Sequence, residues 1–134
     1  MTDQHSSADR KDAHLQLALD GLAQSGVSAG FDAVNLAHCA LPEINLAQIE
    51  LGVEFLDRAL SAPLFIGAMT GGTARASRIN QALARIAADE GIGLAVGSQR
   101  ASLEQGLSQA ELRGLAPTVP LIGNLGGIQL AQPG

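Results

Sequence analysis

Three stretches of this sequence set glycines beside hydrogen-bonding side chains: Ala68-Met69-Thr70-Gly71-Gly72, Gly97-Ser98-Gln99-Arg100 and Gly123-Asn124-Leu125-Gly126-Gly127. Glycine lets a backbone come close to a flat or anionic ligand, and backbone N–H groups at a helix start offer donors. Ser98, Gln99, Arg100 and Asn124 add side-chain donors, and of these Arg100 alone carries a full charge. A fourth stretch holds Arg10, Lys11 and His14. Arg10 at i−4 and Lys11 at i−3 share a helical side with His14, and two cations with one ring donor can grip a diphosphate. Each stretch also has a plainer explanation. Glycines after strands commonly make turns, and the cationic trio can be a solvated helix face. No loop reads GxxxxGK[ST] or GxGxxG, which counts against nucleoside triphosphates and against dinucleotides bound in the Rossmann manner.

Other reactive types give weaker signals. His38 sits beside Cys39 without CxxC or HxxxH spacing, so it is read as a structural or substrate-contact residue and not as a metal ligand. Cys39 is expected to be a small buried residue. Glu43 is a candidate helix-start carboxylate, Met69 can serve as packing, and His5 is expected to be inert. No pair of carboxylates stands out as an acid–base couple.

The elements that must position these loops follow from the hydrophobic pattern. Residues 1–8 read as a disordered leader. A helix is expected from Asp9 to Leu22, with Ala13, Leu17 and Leu19 as its apolar face and Gly21 as its stop. Residues 24–30 form a loop, and 31–43 an irregular arm ending at Pro42, which disfavours the helical region at Leu41. Leu51, Val53 and Phe55 alternate with polar or small neighbours as in a strand, and Asp57-Arg58 turns the chain back through Leu60. The run Leu64-Phe65-Ile66 reads as a buried parallel strand. Thr73 caps a helix that ends at Gly91, with Ile79, Leu83, Ile86 and Ala87 on one face. A second buried strand covers 92–96, a weaker helix 103–115, and a third strand starts after Pro120. A last helix is expected near Ile128.

Composition bounds the partners. The chain has 134 residues, 8 Lys and Arg against 13 Asp and Glu, a net charge of −5, no Trp or Tyr, and one cysteine. The acidic balance argues against a nucleic-acid surface, and the dearth of aromatics against base-stacking platforms. A single cysteine excludes an internal disulfide framework. The polar start is not a signal peptide, and no apolar run reaches the roughly 20 residues of a membrane helix. A cytoplasmic α/β protein is expected, with strand–loop–helix alternation building parallel βαβ units.

Taken in order, Arg10-Lys11-x-x-His14, Phe31-Asp32, His38-x-Ala40-Leu41-Pro42-Glu43, Met69-Thr70-Gly71-Gly72, Ile79-Asn80, Val96-Gly97-Ser98-Gln99-Arg100 and Asn124-Leu125-Gly126 resemble type 2 isopentenyl diphosphate isomerase from about Ala8 to Leu130. The resemblance implies an α/β fold: the N-terminal portion of a (β/α)8 TIM barrel, with an N-terminal helix, arm and hairpin over 9–62 and about the first three parallel strands over 63–134. It implies interconversion of isopentenyl and dimethylallyl diphosphate with reduced FMN as the acid–base group, Mg2+, and NADPH as a reductant of the flavin. By the same resemblance Ala68, Met69, Thr70, Ser98 and Asn124 contact FMN, and Arg10, Lys11, Ser98, Gln99 and Arg100 bind the substrate, with His14 as a further contact. The MTGG loop is then expected to meet the flavin ring and not its phosphate. A homo-oligomer is also implied.

Two departures accompany the resemblance. Asp57 stands where the family usually has Gly in the hairpin, a turn position that Asp tolerates. The family's Gln–Glu pair, which supplies the Mg2+ ligand, is not in this sequence, so no catalytic or metal residue is named. Another FMN-dependent barrel oxidoreductase and a non-catalytic flavin- or diphosphate-binding module stay open as alternatives. A barrel takes roughly 250 residues, so the chain alone is expected to be catalytically inactive and to bind FMN weakly. An isomerase assay on the purified chain with FMN, NADPH and Mg2+ checks this; robust turnover would refute it.

Overall fold

The computed structural model describes residues 7–104 and 110–131. Leader residues 1–6, His5 among them, and residues 105–109 of the expected third helix lie outside the described residues. The described residues open with helix α1 (Ser7–Leu19), which starts two residues earlier than expected, and its turn closes at Gly21 with φ 71°. The expected apolar face does not pack: Leu17 and Leu19 are exposed, while Lys11 and Leu15 are half-buried. The arm that follows holds a short 3-10 turn at Phe31–Ala33 and a second at Leu46–Gln48, which the sequence reading did not foresee. The Asn45 N–H donates to Gln48 Oε1 at 2.7 Å and closes that second turn. Glu43 starts no helix; it lies in the irregular arm with φ 54°. Cys39 is exposed, contrary to the expectation of burial, as is every residue of the arm around it from 31 to 43.

Strands β1 (Val53–Phe55) and β2 (Arg58–Leu60) pair antiparallel, with Phe55 opposite Arg58. The turn between them places Leu56 at φ 50° and Asp57 at φ 56°. Two consecutive left-handed residues are what a two-residue hairpin requires, since that turn matches the twist of the strands. Asp57 therefore does occupy a position suited to glycine, and Leu56 occupies another. The hairpin is fixed to the body by Leu60, which is buried in the core, and by Arg58, whose Nη1 donates to the Pro117 carbonyl at 2.6 Å.

Strands β3 (Phe65–Ile66), β4 (Gly93–Ser98) and β5 (Leu121–Asn124) form a parallel sheet in that order. Helix α2 (Ala74–Glu90) crosses from β3 to β4, and α3 (Arg100–Glu104) and α4 (Ala110–Leu115) lie between β4 and β5. The expected cap is present: Thr73 Oγ1 accepts from the Ala76 N–H at 3.1 Å. Gly91 ends the helix in the left-handed region at φ 65°, where its missing side chain also leaves room for Ser61. Short α5 (Gly127–Leu130) begins beside Ile128, as expected.

The buried face of α2 is Ala76, Asn80, Ala84 and Ala87, rotated from the expected Ile79–Leu83–Ile86–Ala87 face. Ile79 and Leu83 are half-buried flanks and Ile86 is 48% exposed. Small residues on the inner face let the helix backbone approach the sheet, where Leu94 and Val96 of β4 meet Leu112, Ala116 and Val119. Only β4 is buried along most of its length; β3 and β5 are largely exposed.

The expected TIM-barrel portion is corrected accordingly. The described residues form a small α+β arrangement of two separate sheets, an antiparallel pair and a three-stranded parallel sheet. In the parallel sheet β4 lies between β3 and β5, and the β4–β5 register shifts between Ala95 and Ser98.

Replacing Leu56 by Asn together with Asp57 by Gly relieves the two left-handed positions. It is expected to stabilise the chain by about 1 kcal/mol, read as a rise in the urea or thermal unfolding midpoint.

Candidate functional site

A cavity of about 720 Å³ opens beyond the carboxyl ends of β3 and β4, covered by α1. Parallel sheets place ligands at this end because helix starts and loop amides converge there. From α1 come Arg10, Lys11, His14, Leu15 and Ala18, which repeat at helical spacing along one side. Met69, Thr70 and Gly71 follow β3, Ser98 and Arg100 follow β4, and Ile79 comes from α2. The site thus has a cationic part and an apolar part. Anionic groups suit Arg10, Lys11 and Arg100, while Leu15, Ala18, Met69 and Ile79 can shed water from a hydrocarbon group.

Of the substrate residues expected from sequence, Arg10, Lys11, His14, Ser98 and Arg100 meet in this cavity. Gln99 is not part of its lining. Its Nε2 donates to the Gly97 carbonyl at 2.7 Å, its backbone N–H donates to the Asn124 carbonyl at 2.8 Å, and its Oε1 is buried without a partner. Of the expected cofactor residues, Met69, Thr70 and Ser98 line the cavity, whereas Ala68 and Asn124 do not. His38 is exposed in the arm and does not line the cavity.

Sequence reading missed the apolar contributors Leu15, Ala18 and Ile79. For Leu15 and Ala18 the spacing on α1 was available as a signal, since 11, 14, 15 and 18 fall on one side of a helix, but nothing local shows that this side faces a cavity. It also missed Asn80 as a support of the wall. Asn80 is buried, and its Nδ2 donates to the Thr70 carbonyl at 3.1 Å. On the other side the same Thr70 peptide lies so close to Gly97 that any Cβ there would collide with its carbonyl. The wall is therefore clamped between a helix side chain and a bare strand Cα.

Among the described residues, no group of three or more His, Cys, Asp or Glu is placed to hold a metal ion, and no step through a metal is derived. A flat ring is compatible with the shelf formed by Met69, Thr70 and Ser98, where Met69 is 74% exposed and the glycines keep the backbone low. None of the helices among the described residues is long and apolar enough to cross a membrane.

No family model matches the chain. Among curated proteins it is similar to isopentenyl-diphosphate delta-isomerases. That of Xanthobacter autotrophicus is 47% identical over 132 residues, covering 96% of this chain and 38% of the relative. That of Stutzerimonas stutzeri is 46% identical, covering 95% and 38%. That of Rickettsia africae is 37% identical, covering 97% and 39%. The chain therefore spans less than two fifths of the length of these relatives. Their names give a reaction and specify neither a type nor a flavin. The type 2 identification made from the motifs is therefore corrected to the coarser similarity these names carry, isopentenyl-diphosphate delta-isomerase without a type. What the motifs shared with that family were short loops, which specify a ligand-facing backbone more directly than the fold around it.

Gly97→Ala is expected to cost about 1–3 kcal/mol of folding stability, since the new methyl must displace the Thr70 peptide. Gly123→Ala is the control, because its methyl would meet only Gln99 Cγ at 3.8 Å. Denaturant titration of both variants checks the difference.

Proposed function

We propose that this chain contributes the substrate grip for isomerisation of isopentenyl diphosphate to dimethylallyl diphosphate, a step of isoprenoid biosynthesis. One observation carries the reading: a single cavity joins Arg10, Lys11 and Arg100 to an apolar lining of Leu15, Ala18, Met69 and Ile79. Isopentenyl diphosphate has that same division, a polyanionic head on a short branched hydrocarbon. The isopentenyl-diphosphate delta-isomerase names of the relatives support the substrate class.

In this reading the guanidinium of Arg10 and the ammonium of Lys11 take the diphosphate oxygens. Arg100, on the α3 start after β4, holds them from the opposite wall. His14 adds a ring N–H donor. Ile79, Leu15 and Ala18 keep water from the hydrocarbon, and the Thr70 peptide, held by Asn80, fixes the depth at which the branched end stops. The reaction moves a proton on at one carbon and off at another. No described residue is assigned to that transfer; the residues named here bind and orient.

A second reading concerns cofactors. The shelf of Met69, Thr70 and Ser98 favours a planar group such as FMN beside the hydrocarbon. When reduced, that group would supply proton donor and acceptor positions, and NADPH would serve as its reductant. A cytoplasmic setting and a homo-oligomer belong to the same proposal.

Arg10→Ala and Lys11→Ala are each expected to weaken isopentenyl diphosphate binding by roughly 5- to 10-fold, with the parent's affinity falling as salt rises. Isothermal titration calorimetry at two ionic strengths measures both effects. Affinity that is unmoved by either substitution would remove the diphosphate reading. Absorbance titration with FMN tests the second reading separately.

A further inference from the structure

We propose that Asp12 is a positioning residue: it latches α1 over the cavity through Thr73 and so sets where Arg10, Lys11 and His14 stand. The proposal rests on the diphosphate reading of that cavity. Asp12 does not line the cavity, yet it lies on the helix that supplies five of its lining residues. Apart from half-buried Lys11 and Leu15, α1 is exposed from Asp9 to Leu19, so burial does little to hold it in place. Thr73 Oγ1 donates to Asp12 Oδ1 at 3.3 Å across 61 residues of sequence. The same oxygen accepts from the Ala76 N–H at 3.1 Å as the cap of α2.

The two bonds support each other. A hydroxyl has one proton and two acceptor lone pairs, so donation to Asp12 turns the rotor and leaves a lone pair for the cap. A carboxylate also belongs near a helix N-terminus, where the backbone dipoles are positive. The latch therefore joins the helix that carries Arg10 and Lys11 to α2, the longest helix among the described residues, at the edge of the loop that carries Met69 and Thr70.

The charge of Asp12 makes the test sharp. It is one residue from Lys11 and two from Arg10, so as a mere neighbour it weakens anion binding, and its removal would tighten it. A latch predicts the reverse. In calorimetric titration of the whole chain with inorganic pyrophosphate, Asp12→Ala is expected to weaken binding about 3-fold, the size of one exposed hydrogen bond. Asp12→Asn keeps the acceptor oxygen and is expected to bind as well as the parent or better; Thr73→Ser is expected to match the parent. A ligand-free readout accompanies it. Alanine is the better helix former, so without a latch Asp12→Ala would slow amide hydrogen exchange over residues 14–19; the latch predicts several-fold faster exchange, restored by Asn. Slower or unchanged exchange in Asp12→Ala, or pyrophosphate binding no weaker than in Asp12→Asn, overturns the proposal. Failure of the diphosphate reading shows differently, as pyrophosphate affinity indifferent to Arg10→Ala, while the exchange result still judges the latch.

Discussion

The Thr70 carbonyl accepts from Asn80 Nδ2 at 3.1 Å and rests against the bare Cα of Gly97. Three elements meet in that contact: the loop after β3, the inner face of α2 and the end of β4. The bond is part-buried, and it favours the rotation of α2 that keeps Asn80 on the inner face. Small Ala76, Ala84 and Ala87 then fill the rest of that face. The close approach permits no side chain at position 97. Cavity depth, helix rotation and glycine placement thus follow from one constraint.

Packing energy is concentrated on one side of the parallel sheet. Leu94 and Val96 on the central strand meet Leu112, Ala116 and Val119, and Leu60 reaches the same cluster from the hairpin. Elements that supply ligand-facing groups lie outside this cluster. Helix α1 is mostly exposed, and the loops after β3 and β4 are only partly covered. A site assembled from weakly packed parts depends on directed hydrogen bonds for its geometry, as the Asn80–Thr70 and Thr73–Asp12 pairs illustrate.

Local signals were read with most success where the chemistry is local. Thr73 before an apolar-periodic run and Gly91 after it marked α2 correctly, because capping needs only neighbouring backbone groups. The expected hairpin turn at Asp57-Arg58 lies one residue earlier, at Leu56-Asp57, with Arg58 already in β2. Signals that depend on packing failed. The sequence reading buries Phe65, but it is 37% exposed, its ring edge-on to Phe55 at 5.0 Å and lying over the bare Cα of Gly93. The Gln99 amide is drawn to the Gly97 carbonyl, outside the cavity lining.

By itself, the sequence determined the order of the strands and the longer α-helices, the cap residues of α2, and the presence of cations and glycine-rich loops at strand ends. These rest on spacing within a few residues. Tertiary structure alone decided that Arg10, Lys11 and His14 meet Ser98 and Arg100, that Ala68, Asn124 and Gln99 stay out of the cavity lining, and that three strands form an open sheet. The cavity and the sheet depend on contacts between residues tens of positions apart, where no spacing rule reaches and close packing selects one arrangement.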